Sequence, residues 1–167
     1  NYIIRKGKGF GKGKNNEELS IFCSPSYFDR EGEIMLSLYL NSTVVSRLVF
    51  SFIKVEYEYS IFIGALQGSK KADAHTFIQN ATKASYGLFP KRVIIECLYS
   101  IAGICSINRI YAVTESSHVF KHHLYKNKKD EKFIAVYSDF WNSIGGVPFH
   151  SFYELPNHLG RKELSAI

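Results

Sequence analysis

The chain has 167 residues, of which 46% are hydrophobic and 15% aromatic, and this length can bury one substantial core but not two comparable ones. We therefore expect a single domain, residues 1–167. Three cysteines without Cys-x-x-Cys spacing fit neither a disulfide scaffold nor a four-ligand zinc site, so buried free thiols are expected. The formal net charge of +6 favours an acidic partner, although an unspecialised basic surface explains it equally well. No apolar run approaches the roughly 20 residues that cross a bilayer.

The amino-terminal segment alternates glycine with cations from Arg5 to Lys14. This pattern combines backbone freedom with charge repulsion and predicts a mobile basic arm over residues 1–18, with residues 19–167 as the globular core. The arm has neither P-loop spacing nor the Gly-x-Gly-x-x-Gly fingerprint. Phosphate binding by its exposed N–H groups remains open as a weaker alternative.

The next part of the chain is rich in β-branched and aromatic residues, which favour strands. Apolar residues alternate along Glu33–Leu40 as in a half-buried strand, and Asn41-Ser42-Thr43 supplies the following turn. The predicted strands are Leu19–Cys23, Glu33–Leu40, Val44–Tyr57 and Tyr59–Leu66. The last three are expected to pair as an antiparallel meander.

Helical periodicity follows Gly68, and Pro90 suits the first turn of the longer helix. The predicted elements, in order, are a helix over Asp73–Ala84, a helix from Pro90 to Gly103, a strand over Ile107–Thr114, a helix over Ser117–Leu124, a helix over Asp139–Ile144 and a strand over Phe149–Leu155. The order predicts an α+β fold, in which helices pack on a mostly antiparallel sheet.

Seven short segments, in order along the chain, resemble the VirK/YbjX family of Gram-negative bacteria, a domain family of unknown function. They are Phe28–Glu33, Ile63–Gly68, Gly87–Arg92, Ser116–Val119, Tyr137–Gly146, Phe152–Pro156 and Arg161–Leu164. Members of this family are usually longer, so the resemblance implies that the chain is the central and carboxy-terminal part of a longer protein. It also implies a role in virulence, envelope integrity and resistance to antimicrobial peptides.

The order of elements is similar to that of the GCN5-related N-acetyltransferases, an acyltransferase fold. In that fold the fourth and fifth strands splay apart and hold the pantetheine arm of an acyl thioester. Here the corresponding strands are Tyr59–Leu66 and Ile107–Thr114. The glycine-rich loop that binds the pyrophosphate of coenzyme A in that superfamily has no match after Gln67. The resemblance therefore favours an acyl carrier protein over coenzyme A as donor, and loss of activity explains the same absence.

His118 follows the predicted fifth strand and is the candidate general base, with Glu115 or a serine hydroxyl to orient it. In the alternative interpretation, Ser116 or Ser117 caps a helix and His118 bonds only to the backbone. His118 and His122 are four residues apart, as two metal ligands on a helix can be, but no third ligand is identifiable. No metal site is predicted.

Four residues are candidates for binding the donor: Gln67 for its amides or carbonyl, and Lys83, Lys91 and Arg92 for a phosphate. The alternative roles are a turn at Gln67 and solvent-exposed cations at the helix ends. Tyr137 and Trp141 share a helical face with Phe140, so they form either part of the core or an apolar wall for an acyl chain.

The leading hypothesis is a virulence or envelope-maintenance factor that transfers an acyl group from a thioester to an amine or hydroxyl of a lipid or protein. The alternative is a non-enzymatic accessory protein that binds lipid, peptide or a partner protein, so the sequence leaves the enzyme question open. Acidic acyl carrier protein and anionic lipid are the expected partners. Specific nucleic-acid binding is not expected, because the basic arm and Lys126–Lys129 match no recognised motif. The expected location is cytoplasmic or peripheral to a bacterial membrane.

Overall fold

The computed structural model of the chain describes residues 2–4, 18–69, 74–115 and 137–160. Its elements, in chain order, are β1 (Tyr2–Ile4), β2 (Leu19–Pro25), β3 (Ile34–Leu40), β4 (Thr43–Val55), β5 (Glu58–Gly68), α1 (Ala74–Ala84), α2 (Pro90–Ile104), β6 (Arg109–Val113), α3 (Tyr137–Ser143), β7 (Val147–Phe149) and β8 (Phe152–Glu154). The predicted helix over Ser117–Leu124 lies outside the described residues, as does His118.

Within these ranges the strands form one sheet in the order β1-β2-β3-β4-β5-β6-β8-β7. All neighbouring pairs are antiparallel except β5 and β6, which are parallel. The predicted α+β class, the mostly antiparallel sheet and the meander are therefore confirmed. Part of the predicted amino-terminal arm, Tyr2–Ile4, pairs with β2, whereas residues 5–17 lie outside the described ranges.

Helix α2 follows from its sequence. Pro90 occupies its first turn, where the missing backbone N–H costs nothing, and apolar residues recur with helical spacing along one face. That face includes Val93, Ile94 and Leu98, which are buried. The helix packs across β3, β4 and β5, so its burial gives the domain its main core.

The sheet has two different faces. Along β3, Leu36 and Leu38 belong to the main core beneath the helices, whereas Met35 belongs to a second cluster with Val49, Ala65 and Phe28. Because strand side chains alternate between faces, this second cluster lies on the face opposite the helices. We call the two surfaces the helix face and the loop face. Phe28 belongs to the connection between β2 and β3, residues 26–33, which packs against the loop face.

Strand β5 carries a bulge at Gly64. Val49 of β4 is opposite Ala65, and Phe50 is opposite Ile63, so Gly64 has no partner in that ladder. The backbone of Glu31 occupies the space where a side chain at Gly64 would lie. A bulge bends its strand locally, and here it comes directly after Ile63, the last residue of β5 that pairs with β6.

Some details differ from the sequence predictions. The single strand expected over Phe149–Leu155 is wrong: β7 and β8 form a hairpin turned at His150, whose φ is 52°. Helix α3 spans Tyr137–Ser143 rather than the predicted Asp139–Ile144, and the N–H of Ser138 in its first turn donates a hydrogen bond to Glu115. The cysteines are free, but Cys105 is exposed rather than buried.

Candidate active site

The candidate site lies where the pairing of two parallel strands, β5 and β6, ends. We call this place the split. Ser60–Ile63 of β5 pair with Arg109–Ala112 of β6, and β5 then continues to Gly68 beyond the last paired residue. β6 ends at Val113, one residue after its last pair with β5, and its other edge pairs with β8. Backbone groups on this edge of β5 therefore need partners other than β6.

Tyr137, the first residue of α3, lies at this split. The backbone of Leu66 donates a hydrogen bond to its phenol oxygen, and the ring is buried with 5% of its surface exposed. Burial raises the pKa of Tyr137 to about 12; the Leu66 hydrogen bond opposes this effect, and the carboxylates of Glu31 and Glu115 reinforce it. The hydroxyl therefore keeps its proton at neutral pH.

An apolar groove of about 780 Å³ opens on the helix face near the end of β5. Its walls come from β4 and β5 at Val45 and Gly68, from α1 at Ile78, and from α3 at Phe140 and the following Ile144. This volume is within the range of ligand pockets, about 300–1,000 Å³. The groove can hold an extended apolar chain.

Two cations of the first turn of α2, Lys91 and Arg92, line this groove. The ammonium of Lys91 lies 5.9 Å from the ring centre of Phe140, and burial lowers the pKa of this lysine. None of the carboxylates in the described ranges forms an ion pair with Lys91. Arg92 is already engaged, because it pairs with Glu96 at 2.7 Å. Lys91 is therefore the cation better placed to bind a ligand in the groove.

The outer wall of the groove is the segment that follows β8, residues 156–160. Tyr99 of α2 donates its hydroxyl to the carbonyl oxygen of Pro156 at 2.6 Å, and Arg92 donates to that of Gly160 at 2.8 Å. Burial raises the pKa of Tyr99. These two hydrogen bonds hold the segment against α2 and so fix the width of the groove.

On the loop face, Gln67 follows Ala65 in the alternation of β5 and its amide nitrogen lies 3.3 Å from Oε2 of Glu31. Glu31 is buried with 7% of its surface exposed. Its charge also acts on the phenol of Tyr137. A carboxylate on the loop face and a phenol at the split are thus electrostatic neighbours.

The residues predicted to bind a donor do not all meet in the groove. Lys91 and Arg92 line it, Gln67 points to the loop face, and Lys83 is exposed near the end of α1 without lining the groove. His118, the predicted base, lies outside the described residues. The predicted roles of these five residues stay predictions.

The predicted aromatic wall separates into three positions. Phe140 lines the groove, whereas Trp141 is fully buried and its indole N–H donates to the carbonyl oxygen of Val113 at 2.8 Å. Tyr137 lies at the split. Glu115 uses both carboxylate oxygens to accept hydrogen bonds from the N–H and hydroxyl of Ser138, each at 2.6 Å, so it caps α3 in this structure.

The sequence reasoning gave no chemical role to Glu31 or Arg47. A signal existed for Arg47, since it is one cation inside the apolar run Val44–Ile53 and a charged residue in a buried strand needs a reason. Glu31 lies in a polar connection, where carboxylates are common and carry no such signal. Its importance depends on contacts with β5, distant in sequence.

Comparison with known proteins agrees with the resemblance found in the sequence. Residues 4–167 match the DUF535 family, which is described as protein of unknown function. The chain belongs to this family. The uncharacterized protein YbjX of Escherichia coli K12 is 36% identical over 160 residues, which cover 93% of this chain and 48% of that protein. The YbjX part of the resemblance is therefore confirmed.

A second relative, an uncharacterized protein of Haemophilus influenzae, is 25% identical over 109 residues. The match covers 64% of this chain and 35% of that protein. The chain thus spans half or less of the length of these two curated relatives. Among its described residues, no helix is long and apolar enough to cross a membrane.

Proposed function

We propose that this DUF535 chain is an acyltransferase with a GCN5-related fold, which moves an acyl group from a thioester donor to an amine or hydroxyl. The observation that carries the proposal is the end of the β5–β6 pairing: from the bulge at Gly64 onward β5 continues to Gly68 without β6, and Gly68 lines the apolar groove. A strand edge that β6 leaves unpaired, next to such a groove, suits a narrow acyl-pantetheine arm whose amides can bond that edge of β5.

An acyl carrier protein fits the site better than coenzyme A as the donor. The chain lacks the pyrophosphate loop after Gln67, and a carrier-bound phosphopantetheine has no nucleotide that would need it. Lys91 would bind the single phosphate, with Arg92 and the more distant Lys83 adding attraction for an acidic carrier. The net charge of +6 acts in the same direction.

The chemistry follows from the residues at the split. The acceptor attacks the thioester carbonyl, so a new bond to the acyl carbon forms as the carbon–sulfur bond breaks. The proton lost by the acceptor passes to a base, for which His118 is the candidate from the sequence. Tyr137 retains its proton and can donate a hydrogen bond to the departing sulfur, where negative charge develops.

The resemblance to the VirK/YbjX family suggests where such an activity would act. Envelope maintenance, virulence and resistance to antimicrobial peptides each suit acylation of a lipid or protein at a bacterial membrane. An anionic lipid surface would attract the basic chain by its net positive charge. This cellular role is part of the proposal.

The direct experiment incubates the protein with acyl carrier protein loaded with short or long acyl chains, and follows the loss of the thioester by mass spectrometry. Ile78→Trp fills the groove and should reduce turnover at least tenfold. Thr76→Trp places the same side chain on the exposed side of α1 and is the matched control. Tyr137→Phe removes the phenol that bonds to Leu66, and Tyr153→Phe, at a buried tyrosine of β8, is its control.

The outcomes separate two functions. Turnover that requires the open groove and Tyr137 supports acyl transfer. The proposal would be overturned if native mass spectra show a bound lipid and the protein consumes none of the acyl carrier protein thioesters. Those results would favour a lipid-binding accessory protein. Equal turnover in the Ile78→Trp and Thr76→Trp variants would remove the groove as the donor site.

A further inference from the structure

A row of polar side chains crosses the loop face and ends at the split. Ser37 of β3 is the register partner of Arg47 in β4, and Arg47 is the partner of Gln67 in β5. The three alternate with residues of the main core, so they share the face of the second cluster. The row continues from Gln67 to Glu31 by the contact of 3.3 Å.

Arg47 is incompletely satisfied in this row. Its Nε atom is buried without a hydrogen-bond partner, and none of the ion pairs within the described ranges includes it. The centre of the guanidinium lies 5.8 Å from the ring centre of Tyr27, an exposed aromatic residue. A buried guanidinium nitrogen without an acceptor is costly, and a carboxylate or phosphate is the partner that the geometry of a guanidinium matches. The site therefore has the character of an anion receptor.

Glu31 supplies a second chemical function beside Arg47. The N–H of Glu31 bonds to the carbonyl oxygen of Phe28 at 2.9 Å, and its own carbonyl rests against the bulge at Gly64. The carboxylate is therefore held at a defined place next to the split. The charge of Glu31 also raises the pKa of Tyr137, so the carboxylate and this phenol lie within electrostatic range of each other.

We infer that the loop-face cluster of Glu31, Arg47 and Gln67 is the acceptor site, and that it selects an amine or hydroxyl located a few bonds from a phosphate or carboxylate. This inference rests on the proposed acyl transfer. Arg47 binds the anionic group of the acceptor, Gln67 lies between that group and the nucleophile, and Glu31 accepts the proton of the nucleophile.

The two substrates then approach from opposite faces of the sheet. The acyl donor occupies the groove on the helix face, and the acceptor lies on the loop face; the reacting atoms meet at the split, where Tyr137 contacts Leu66. As the acceptor attacks, its proton moves to the Glu31 carboxylate, the acyl–sulfur bond breaks and the thiol is released after protonation. The acylated acceptor and the free thiol are the products.

The test uses three small amines that differ in one feature: phosphoethanolamine carries a phosphate, β-alanine a carboxylate and ethanolamine neither. Wild-type protein should bind the two anionic probes and acylate them more efficiently than ethanolamine. Arg47→Met should weaken binding of the anionic probes by roughly 10–100-fold, measured by calorimetry, and should lower their acylation to the level of ethanolamine. The relative losses for phosphoethanolamine and β-alanine identify which anion the site prefers.

Two further variants, Glu31→Gln and His118→Ala, test which residue is the base. Glu31→Gln keeps the size of the side chain, so it should retain binding of the anionic probes but lose at least 100-fold in acyl transfer. Thermal unfolding checks that the Arg47→Met and Glu31→Gln proteins remain folded. His118→Ala tests the competing base from the sequence.

The results distinguish this inference from the proposed function. If wild-type protein transfers acyl groups but Arg47→Met binds anions normally, or Glu31→Gln turns over normally, the acceptor site is wrong and acyl transfer stands. A wild-type protein that binds anions through Arg47 but never consumes a thioester instead overturns the proposed function, leaving only anion binding. A loss confined to His118→Ala assigns the base to His118.

Discussion

The carbonyl oxygen of Glu31 packs against Gly64, in the space that the Cβ atom of any other residue at this position would occupy. This contact joins the connection between β2 and β3 to the bulge of β5, and it holds the carboxylate of Glu31 on the loop face. Gly32 fixes the same connection, because its φ of 150° is a conformation that residues with a side chain rarely adopt. The bulge and the proposed acceptor site are therefore one structural unit.

Gly64→Ala should disrupt the contact between Glu31 and the bulge of β5. The added methyl group must displace the Glu31 backbone, and overpacking of this kind costs about 1–3 kcal/mol of unfolding free energy. We expect the proposed acyl transfer to fall further than the loss of stability explains, because the carboxylate moves away from the split. Urea unfolding followed by the emission of Trp141, the single tryptophan of the chain, measures the stability term.

Gly103→Ala is the matched control for this prediction. A side chain at Gly103 meets no atom within 4 Å, and the residue lies within α2, where alanine is the better helix former. The control should therefore leave stability unchanged or raise it slightly. If Gly64→Ala is as stable and as active as Gly103→Ala, the contact between Glu31 and Gly64 has no structural role.

The strands of the first half were predictable because local sequence patterns indicate where each strand and turn lies. Apolar residues on alternate positions of β3, and the turn residues that follow, identify the meander without knowledge of the partners. The hairpin of β7 and β8 was missed because its turn at His150 and Ser151 lacks the glycine or asparagine that usually marks such turns.

The candidate site was less accessible to sequence reasoning. The groove depends on α2 and on residues 156–160 meeting over the end of β5, and such long-range contacts leave no local pattern. The position of Gln67 on the loop face follows from the extra residue at Gly64, which changes the alternation of β5. Strand order alone therefore cannot say which face a polar residue near a bulge occupies.

Glu115 should stabilise the domain through α3. Its carboxylate accepts two hydrogen bonds from Ser138 at the first turn, and Glu115→Gln should cost about 0.5–2 kcal/mol at neutral pH, as loss of a helix cap does. Burial tends to raise the pKa of Glu115, but the hydrogen bonds from Ser138 outweigh it and hold the pKa below its ordinary value of 4.5.

This lowered pKa sets the pH dependence of the effect. An acid with a depressed pKa in the folded state contributes its stability above the unfolded value, and the contribution disappears as pH falls through the folded value. The difference between wild type and Glu115→Gln should thus be constant above about pH 5 and should shrink below pH 4.5. Glu33→Gln, at an exposed carboxylate, is the control; a pH-independent difference for Glu115→Gln would contradict the capping role.

The three cysteines should differ strongly in reactivity. Burial raises the pKa of Cys97 from 9.0 to about 11, with a smaller contribution from Cys23, whereas Cys105 is exposed at the end of α2. Since the thiolate is the reactive form, a shift of this size lowers its fraction at pH 8 by roughly 100-fold. A disulfide reagent should therefore modify Cys105 in a fast phase and Cys97 in a slow one. Cys105→Ser should abolish the fast phase and Cys97→Ser should leave it intact.

Because Cys97 packs against the main core, urea should convert its slow phase into a fast one as the domain unfolds. A fast phase that survives in Cys105→Ser without denaturant would mean that Cys23 or Cys97 is more accessible than its burial indicates.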